Sequence, residues 1–315
     1  KSSWRKDQMG RFNSPASLLN NGLGLNKIKT SRITPSGRNV IYHASQSMPH
    51  TSSGYAIRTH GLTSSLNSKG YDVDVFLRNG YPLDRRDFKG KDVNSIEDIE
   101  NVTYHFSHTE PNDSSLINYQ EVYNFNKLNE YENQAISSLI SNGRKSKPIA
   151  IHSASNFVVG LAGARAAKAL GIPSIYEIRG FWHLTQSTKR EGYEGSDHYK
   201  LSERFEIETA KESDYVFTIT KALKDILVEN GVEESKISVL PNAVDHSKFN
   251  ITSKDLELQK ELGFEDKVVI GYIGSFVKYE GLDLLLEACA ILKEKHGDIF
   301  RLLLVGDGDT MQQLR

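Results

Sequence analysis

The 315-residue chain predicts an α/β protein of two Rossmann-like units with mainly parallel sheets, on three observations. Short apolar runs alternate with helix-length segments, the spacing of βαβ crossovers. Several of these runs are almost continuously apolar, as strands covered on both faces are. After residue 248 the strand–helix–strand pattern begins again, in a chain too long for one core at ~100–200 residues per domain. The expected division is therefore a polar extension over 1–38, a first domain over 39–248 and an incomplete second one over 249–315.

Residues 1–38 are polar without periodicity and read as an extension that packs irregularly or not at all. Asn39–Ala44 is a buried first strand, followed by a loop and a helix from Tyr55 to Lys69. Tyr55, Leu62 and Leu66 share one face of that helix, and Gly70 closes it. Tyr71–Leu77 alternates as a strand does, Val102–Phe106 is a further strand, and Tyr119–Ile140 turns helical. Pro148–His152 is a strand and Val158–Leu170 an Ala/Gly-rich helix ended by Gly171. Strands at Ser174–Ile178, Tyr215–Ile219 and Ile237–Leu240 then alternate with helices at Tyr199–Lys211 and Lys221–Asn230. The second unit opens with strand Val268–Ile273, helix Leu282–His296 and strand Phe300–Val305.

Hydrophobic residues make up 38% and charged residues 25%, the balance of a globular protein. A net charge of −1 supplies no global field toward nucleic acid or an anionic membrane. The single cysteine, Cys289, excludes an intrachain disulfide and reads as a small core residue. No apolar run reaches the ~18 residues of a membrane span, and no signal peptide is visible. The chain opens on Lys1 rather than Met and stops within the second unit, so both ends read as trimmed. The expected location is cytoplasmic.

Chemistry concentrates where predicted strands end. Thr51-Ser-Ser-Gly-Tyr55 leads into a helix N-terminus, where Ser53 and Gly54 let backbone amides approach a phosphate or sugar hydroxyl and Arg58 lies one turn in. An ordinary serine-capped turn has the same sequence. In Tyr176-Glu-Ile-Arg-Gly-Phe-Trp182, Glu177 and Arg179 stand at another strand's end. A guanidinium there clamps a diphosphate or carboxylate, while Phe181 and Trp182 offer a stacking platform; the alternative is an ion pair over an aromatic plug. Ile273–Gly281, with Gly274, Ser275 and Lys278, and Val305-Gly-Asp-Gly-Asp309, with Gly306, are the corresponding turns of the second unit. Gly-x-Gly-x-x-Gly and Gly-x-x-x-x-Gly-Lys-[Ser/Thr] are both absent, against a dehydrogenase and a P-loop NTPase. The ten histidines form no metal-ligand spacing, so no metal is expected.

Three blocks in order resemble the retaining GT-B glycosyltransferases of family 4: Ser213–Thr220 continuing to Val239-Leu-Pro-Asn-Ala-Val-Asp-His-Ser-Lys-Phe249, then Ile270–Ala288, then Leu302-Leu-Leu-Val-Gly-Asp-Gly308. The resemblance runs from Arg38 to the end. It implies a nucleotide-diphosphate sugar held by the second domain, an acceptor held by the first, and transfer with retention and no metal or other cofactor. Front-face displacement is the implied mechanism, with the leaving diphosphate helping to deprotonate the acceptor. The donor side then comprises Asn242, Gly274, Ser275, Lys278 and Gly306, and the acceptor side Ser53, Gly54, Arg58, Glu177 and Trp182. Arg179 and His152 are the expected catalytic pair.

Departures from the family pattern are specific. His152-Ser153-Ala154 replaces the His-x-His found in many members, Ser275 stands where Arg is frequent, and Glu280 precedes Gly281 where Lys is frequent. The Glu-x7-Glu segment that holds the donor lies beyond Arg315, so a chain ending there is expected not to turn over. The partners expected are a nucleotide sugar and a glycan acceptor, with no nucleic acid and at most peripheral contact with a membrane. A non-catalytic GT-B module that binds glycan or a partner protein is the alternative, favoured by the missing His-x-His. A sugar-nucleotide epimerase would need a pair of catalytic acids that the sequence does not offer.

Overall fold

The computed structural model describes residues 15, 17–20, 22–23, 28–88, 91–106, 122, 125 and 127–314. The chain falls into two compact units: one takes in the described residues up to Ser187 together with Glu191–Asn242, the other Thr188–Arg190 and the residues from Ala243 onward.

The first unit is built on an eight-stranded sheet of β1 (Asn39–Ala44), β2 (Asp72–Leu77), β3 (Ile96–Ile99), β4 (Val102–His105), β5 (Ala150–Ala154), β6 (Ser174–Ile178), β7 (Tyr215–Thr218) and β8 (Ile237–Val239). Its order is β3-β4-β2-β1-β5-β6-β7-β8. Only β3 runs antiparallel, against β4. That edge strand was not anticipated: Ile96-Glu-Asp-Ile99 carries two acids among four residues, and its pattern is half exposed. Strand order reverses between β1 and β5, which makes their carboxyl ends the switch point of the sheet.

Helices cover both faces. On one, α2 (Leu128–Ser146), α3 (Phe157–Leu170) and α5 (Asp197–Glu212) pack Leu128, Tyr131, Ile136, Val158, Leu170 and Phe205 over Ile41 and Ile151. Helix α3 lies so close to the sheet that a Cβ at Gly160 would stand 2.3 Å from the Tyr176 ring, and one at Gly163 1.9 Å from Ser153 Oγ. On the other face, α1 (Gly54–Ser68) covers Val40, Tyr42, Val73 and Val75. The expected apolar face of α1 is only partly realised. Tyr55 and Leu66 do pack against the core, but the buried stripe is Ala56, Thr59 and Thr63. Both threonine hydroxyls are satisfied internally, donating to Tyr55 O at 3.0 Å and Thr59 O at 2.9 Å.

The expected helix over 119–140 is found as α2, which begins at Leu128; most residues just before it lie outside the described set. The described part of the N-terminal extension packs on the domain. Leu18 is buried in the core, and the amides of Ser31 and Ile33 donate to Ala169 O and Leu170 O at 2.7 and 2.9 Å. The remaining elements of the first unit are a short α4 (Trp182–Ser187), not foreseen, and α6 (Lys221–Glu229).

The second unit holds α7 (Leu256–Glu261), β9 (Val268–Ile273), α8 (Leu282–His296), β10 (Phe300–Val305) and α9 (Met311–Leu314). β9 and β10 pair in parallel, from Phe300 beside Val268 to Val305 beside Ile273. Cys289 lies half-buried on α8 rather than in a core, because Leu282 is the one residue of that helix that is fully buried.

Candidate functional site

The carboxyl ends of β1, β5 and β6 meet the N-terminus of α1. Ser53 caps that helix, its side chain accepting from the Ala56 amide at 3.3 Å. The amides of Gly54 and Tyr55 have no intrahelical acceptor at this position. A Cβ added at Gly54 would meet nothing within 4 Å. The glycine is thus not required by packing, and it leaves the approach to the helix end open.

Beneath this loop lies a buried polar cluster centred on Glu177, which is 0% exposed. Glu177 Oε1 accepts from Arg58 Nε at 2.7 Å and Arg179 Nε at 3.1 Å. Its Oε2 accepts from Tyr42 Oη at 2.6 Å and Arg179 Nη2 at 3.2 Å, and His152 Nε2 lies 3.2 Å away. Parallel register explains the convergence, since Tyr42 pairs with His152 and Ala154 with Glu177 along one face of adjacent strands. Burial pushes the Glu177 carboxyl up, but His152 and Arg179 more than offset this and hold it well below the usual carboxylate range.

Arg179 has every donor engaged inside the protein. Besides Glu177, Nη1 donates to Tyr55 O at 2.7 Å and Thr59 Oγ1 at 2.9 Å, and Nη2 donates to Tyr42 Oη at 2.6 Å. Its guanidinium also lies 4.4 Å from the centre of the Tyr55 ring. The guanidinium expected to clamp a ligand is therefore turned inward, since a guanidinium has only five N–H groups. Glu177, expected to contact an acceptor, is sealed from solvent and is the shared counter-ion of Arg58 and Arg179. His152, expected to be catalytic, is also buried, its ring 4.5 Å from Tyr42 and 5.9 Å from Phe217. Arg58 points to the end of β8 instead of the helix terminus: Nη2 donates to Leu240 O at 2.8 Å, and Nη1 to Pro241 O at 2.9 Å and Asn242 Oδ1 at 3.1 Å.

The aromatic pair divides. Phe181 is a core residue and Trp182 is 37% exposed at the start of α4. Asn242, expected on the donor side, is held by Arg58 in the first unit. Sequence reasoning missed Tyr42, Tyr55 and Thr59. A tyrosine inside the buried first strand was the available signal, because a buried phenol needs a partner.

In the second unit, two loops at the ends of β9 and β10 run against each other. Gly274 N–H donates to Val305 O at 3.0 Å and Phe276 N–H to Asp307 O at 2.9 Å. A Cβ at Gly306 would stand 1.9 Å from Gly274 O, and one at Gly308 2.3 Å from Phe276 O, so side chains are excluded at both. Phe276 is buried beneath the turn, while Ser275 and Lys278 are exposed. Gly281, at positive φ, precedes α8 and gives it no side-chain cap. Residues 306–309, Met311 and Gln312 line an open depression of about 630 Å³. Thus Gly274, Ser275, Lys278 and Gly306 all belong to this unit. Among the described residues no cluster of three or more His, Cys, Asp or Glu is placed to hold a metal, and no helix is long and apolar enough to cross a membrane.

Two α/β units, the first on a doubly wound sheet and both with glycine-bearing loops at strand ends, define a GT-B type glycosyltransferase fold. The chain belongs to Glycosyltransferase Family 4, whose signature covers residues 52–248, and the signature of Glycosyl transferases group 1 follows over 253–315. It is similar to the capsular polysaccharide biosynthesis glycosyltransferase CapM of Staphylococcus aureus, 29% identical over 53% of this chain and 43% of CapM. An uncharacterized glycosyltransferase of Methanocaldococcus jannaschii is 25% identical over 33% of this chain and 26% of its own length. The chain thus spans less than half of the curated relatives it matches. Among solved structures, sucrose-phosphate synthase from Thermosynechococcus elongatus superposes with a TM-score of 0.63 at 16% identity, over 86% of this chain and 63% of that one. Anabaena HepE, solved with UDP and glucose, gives a TM-score of 0.57 at 13% identity, over 88% and 63%. These two likenesses concern the fold.

Proposed function

We propose that the protein moves a sugar from a nucleotide-diphosphate sugar to a glycan or lipid-linked acceptor, with retention and without a metal, in the cytoplasm. The observation that carries this reading is the pairing of the Gly274–Phe276 and Gly306–Gly308 turns beside a long helix with no side-chain cap. The turn amides of Gly274 and Phe276 hold the two loops together. The loop from β9 leads into α8, whose N-terminus, with no side-chain cap and the positive end of the helix dipole, is suited to receive a diphosphate. The protein then acts mainly by holding the leaving diphosphate and orienting the acceptor. The kinship with CapM supports a polysaccharide acceptor.

A thermal-shift series of the full-length protein against UDP-, GDP-, ADP- and CMP-sugars tests the reading. A ligand at ~100 times its Kd stabilises by about 2.7 kcal/mol. A shift confined to one nucleotide class supports the donor site and names its base. No shift with any class, in a protein that melts cooperatively, overturns it. One observation favours a second reading, a non-catalytic module binding glycan or a partner protein: the first unit's two candidate catalytic side chains, Arg179 and His152, are buried in the Glu177 cluster.

A further inference from the structure

We infer that Arg58, held by Glu177, is a positioning residue that fixes the segment by which the chain leaves the first unit. Pairing of β8 with β7 ends at Val239, and the last ladder-like bond is Leu240 N–H to Thr218 O at 2.7 Å. Every side chain from Pro241 to Ser247 is exposed, so apolar burial does not hold this segment. Arg58 does: one guanidinium takes Leu240 O, Pro241 O and Asn242 Oδ1. Its own direction is set by the 2.7 Å bond from Nε to Glu177 Oε1, on a carboxylate with no solvent exposure. Arg58 also belongs to the first turns of α1, the helix whose capped N-terminus faces the open loop at Ser53 and Gly54. One rigid fork therefore ties the ligand-facing end of α1 to the exit segment. A lysine cannot reproduce this, since a point charge on a flexible stem cannot serve four separated acceptors at once.

The clamp itself stands on this geometry; its consequence for catalysis rests on the sugar-transfer reading. The test is amide hydrogen exchange at Leu240 in wild type, Arg58→Lys and Arg58→Met, with the β6 amides as internal reference. Loss of charge-assisted hydrogen bonds to backbone carbonyls is expected to speed exchange at Leu240 about tenfold or more in both variants, with β6 unchanged. Equal exchange in wild type and Arg58→Lys overturns the inference. Should Arg58→Met fail to fold, Asn242→Ala removes one exposed contact and is expected to give a smaller increase of the same sign. In transfer assays Arg58→Lys is expected to lower kcat with KM for the nucleotide sugar unchanged; faster exchange with unaltered kcat would overturn the positioning role. If the full-length wild-type protein transfers no sugar, the transfer reading fails and the exchange result alone decides the clamp.

Discussion

Glu177→Gln is the sharpest probe of the first unit. The side chain is isosteric, yet every group around the carboxylate presents a donor: Arg58 Nε and Arg179 Nε on one oxygen, Tyr42 Oη and Arg179 Nη2 on the other. A carboxamide has one acceptor oxygen, so whichever way it turns its NH2 meets donors head-on. The substitution also leaves two guanidiniums, with side chains 10% and 8% exposed, without their counter-ion. Breaking a buried pair by removing one partner costs about 3–5 kcal/mol. At about 2–4 °C per kcal/mol for a domain of 150–250 residues, the first unit should melt roughly 6–20 °C lower. Circular dichroism melts at pH 7 measure it, with Asp225→Ala as control, since Lys221–Asp225 is a solvent-exposed pair that contributes little to stability. The folded carboxyl lies below its ordinary value of 4.5, so its contribution is present above that pH and is lost as pH falls through the folded value. The gap between variant and wild type should therefore close only in acid. A loss of less than about 2 °C at pH 7 would refute the reasoning, because it would mean that the arginines do not depend on Glu177 for compensation.

Glu206 predicts the opposite pH dependence. Burial raises its carboxyl to about 7, against partners in Tyr176 Oη and the Phe157 amide. The folded state then binds more protons than the unfolded one between pH 4.5 and about 7, so stability falls as pH rises through that window, by about 3 kcal/mol. Glu206→Gln should flatten the slope in denaturant titrations at pH 5 and 7.5. Two glycines should behave in contrary ways. Gly306→Ala drives a Cβ into Gly274 O and should destabilise the second unit by about 1–3 kcal/mol, read as faster amide exchange at Gly274 and Phe276. Gly54→Ala meets open space, so melting should not fall, and any weakening of acceptor binding would come from the filled approach alone.

Elements were legible where one physical signal dominated. Ser174–Ile178, Val268–Ile273, Leu282–His296 and Phe300–Val305 have the bounds that their apolar runs and closing glycines predict. Pattern failed where burial is achieved without large apolar groups, as at Ala56, Thr59 and Thr63 on α1, and where a strand is an edge, as at Ile96–Ile99. The site was legible as a neighbourhood but not as a set of orientations. Arg58, Glu177 and Arg179 do converge, but one-dimensional reasoning assigned their charges to a ligand. Register was the missing information: only when β1, β5 and β6 are aligned does Tyr42 fall beside His152 and complete the shell around Glu177.

That shell changes what the first unit can offer an anionic group. With Arg179 fully engaged and Arg58 turned to Leu240–Asn242, neither guanidinium is a direct hydrogen-bond clamp at the loop. The charge nevertheless persists: two guanidiniums against one carboxylate leave a net positive charge beneath the N-terminus of α1. Since Coulomb attraction acts over several ångströms where a hydrogen bond does not, the cluster can bias the loop toward anions without touching them. On the proposed function, directional contacts at this loop fall to the amides at Gly54 and Tyr55, whose approach the missing Cβ keeps open. On that reading backbone geometry gives the loop its selectivity, while its electrostatic bias comes from the buried cluster that is also proposed to hold the exit of the chain in place.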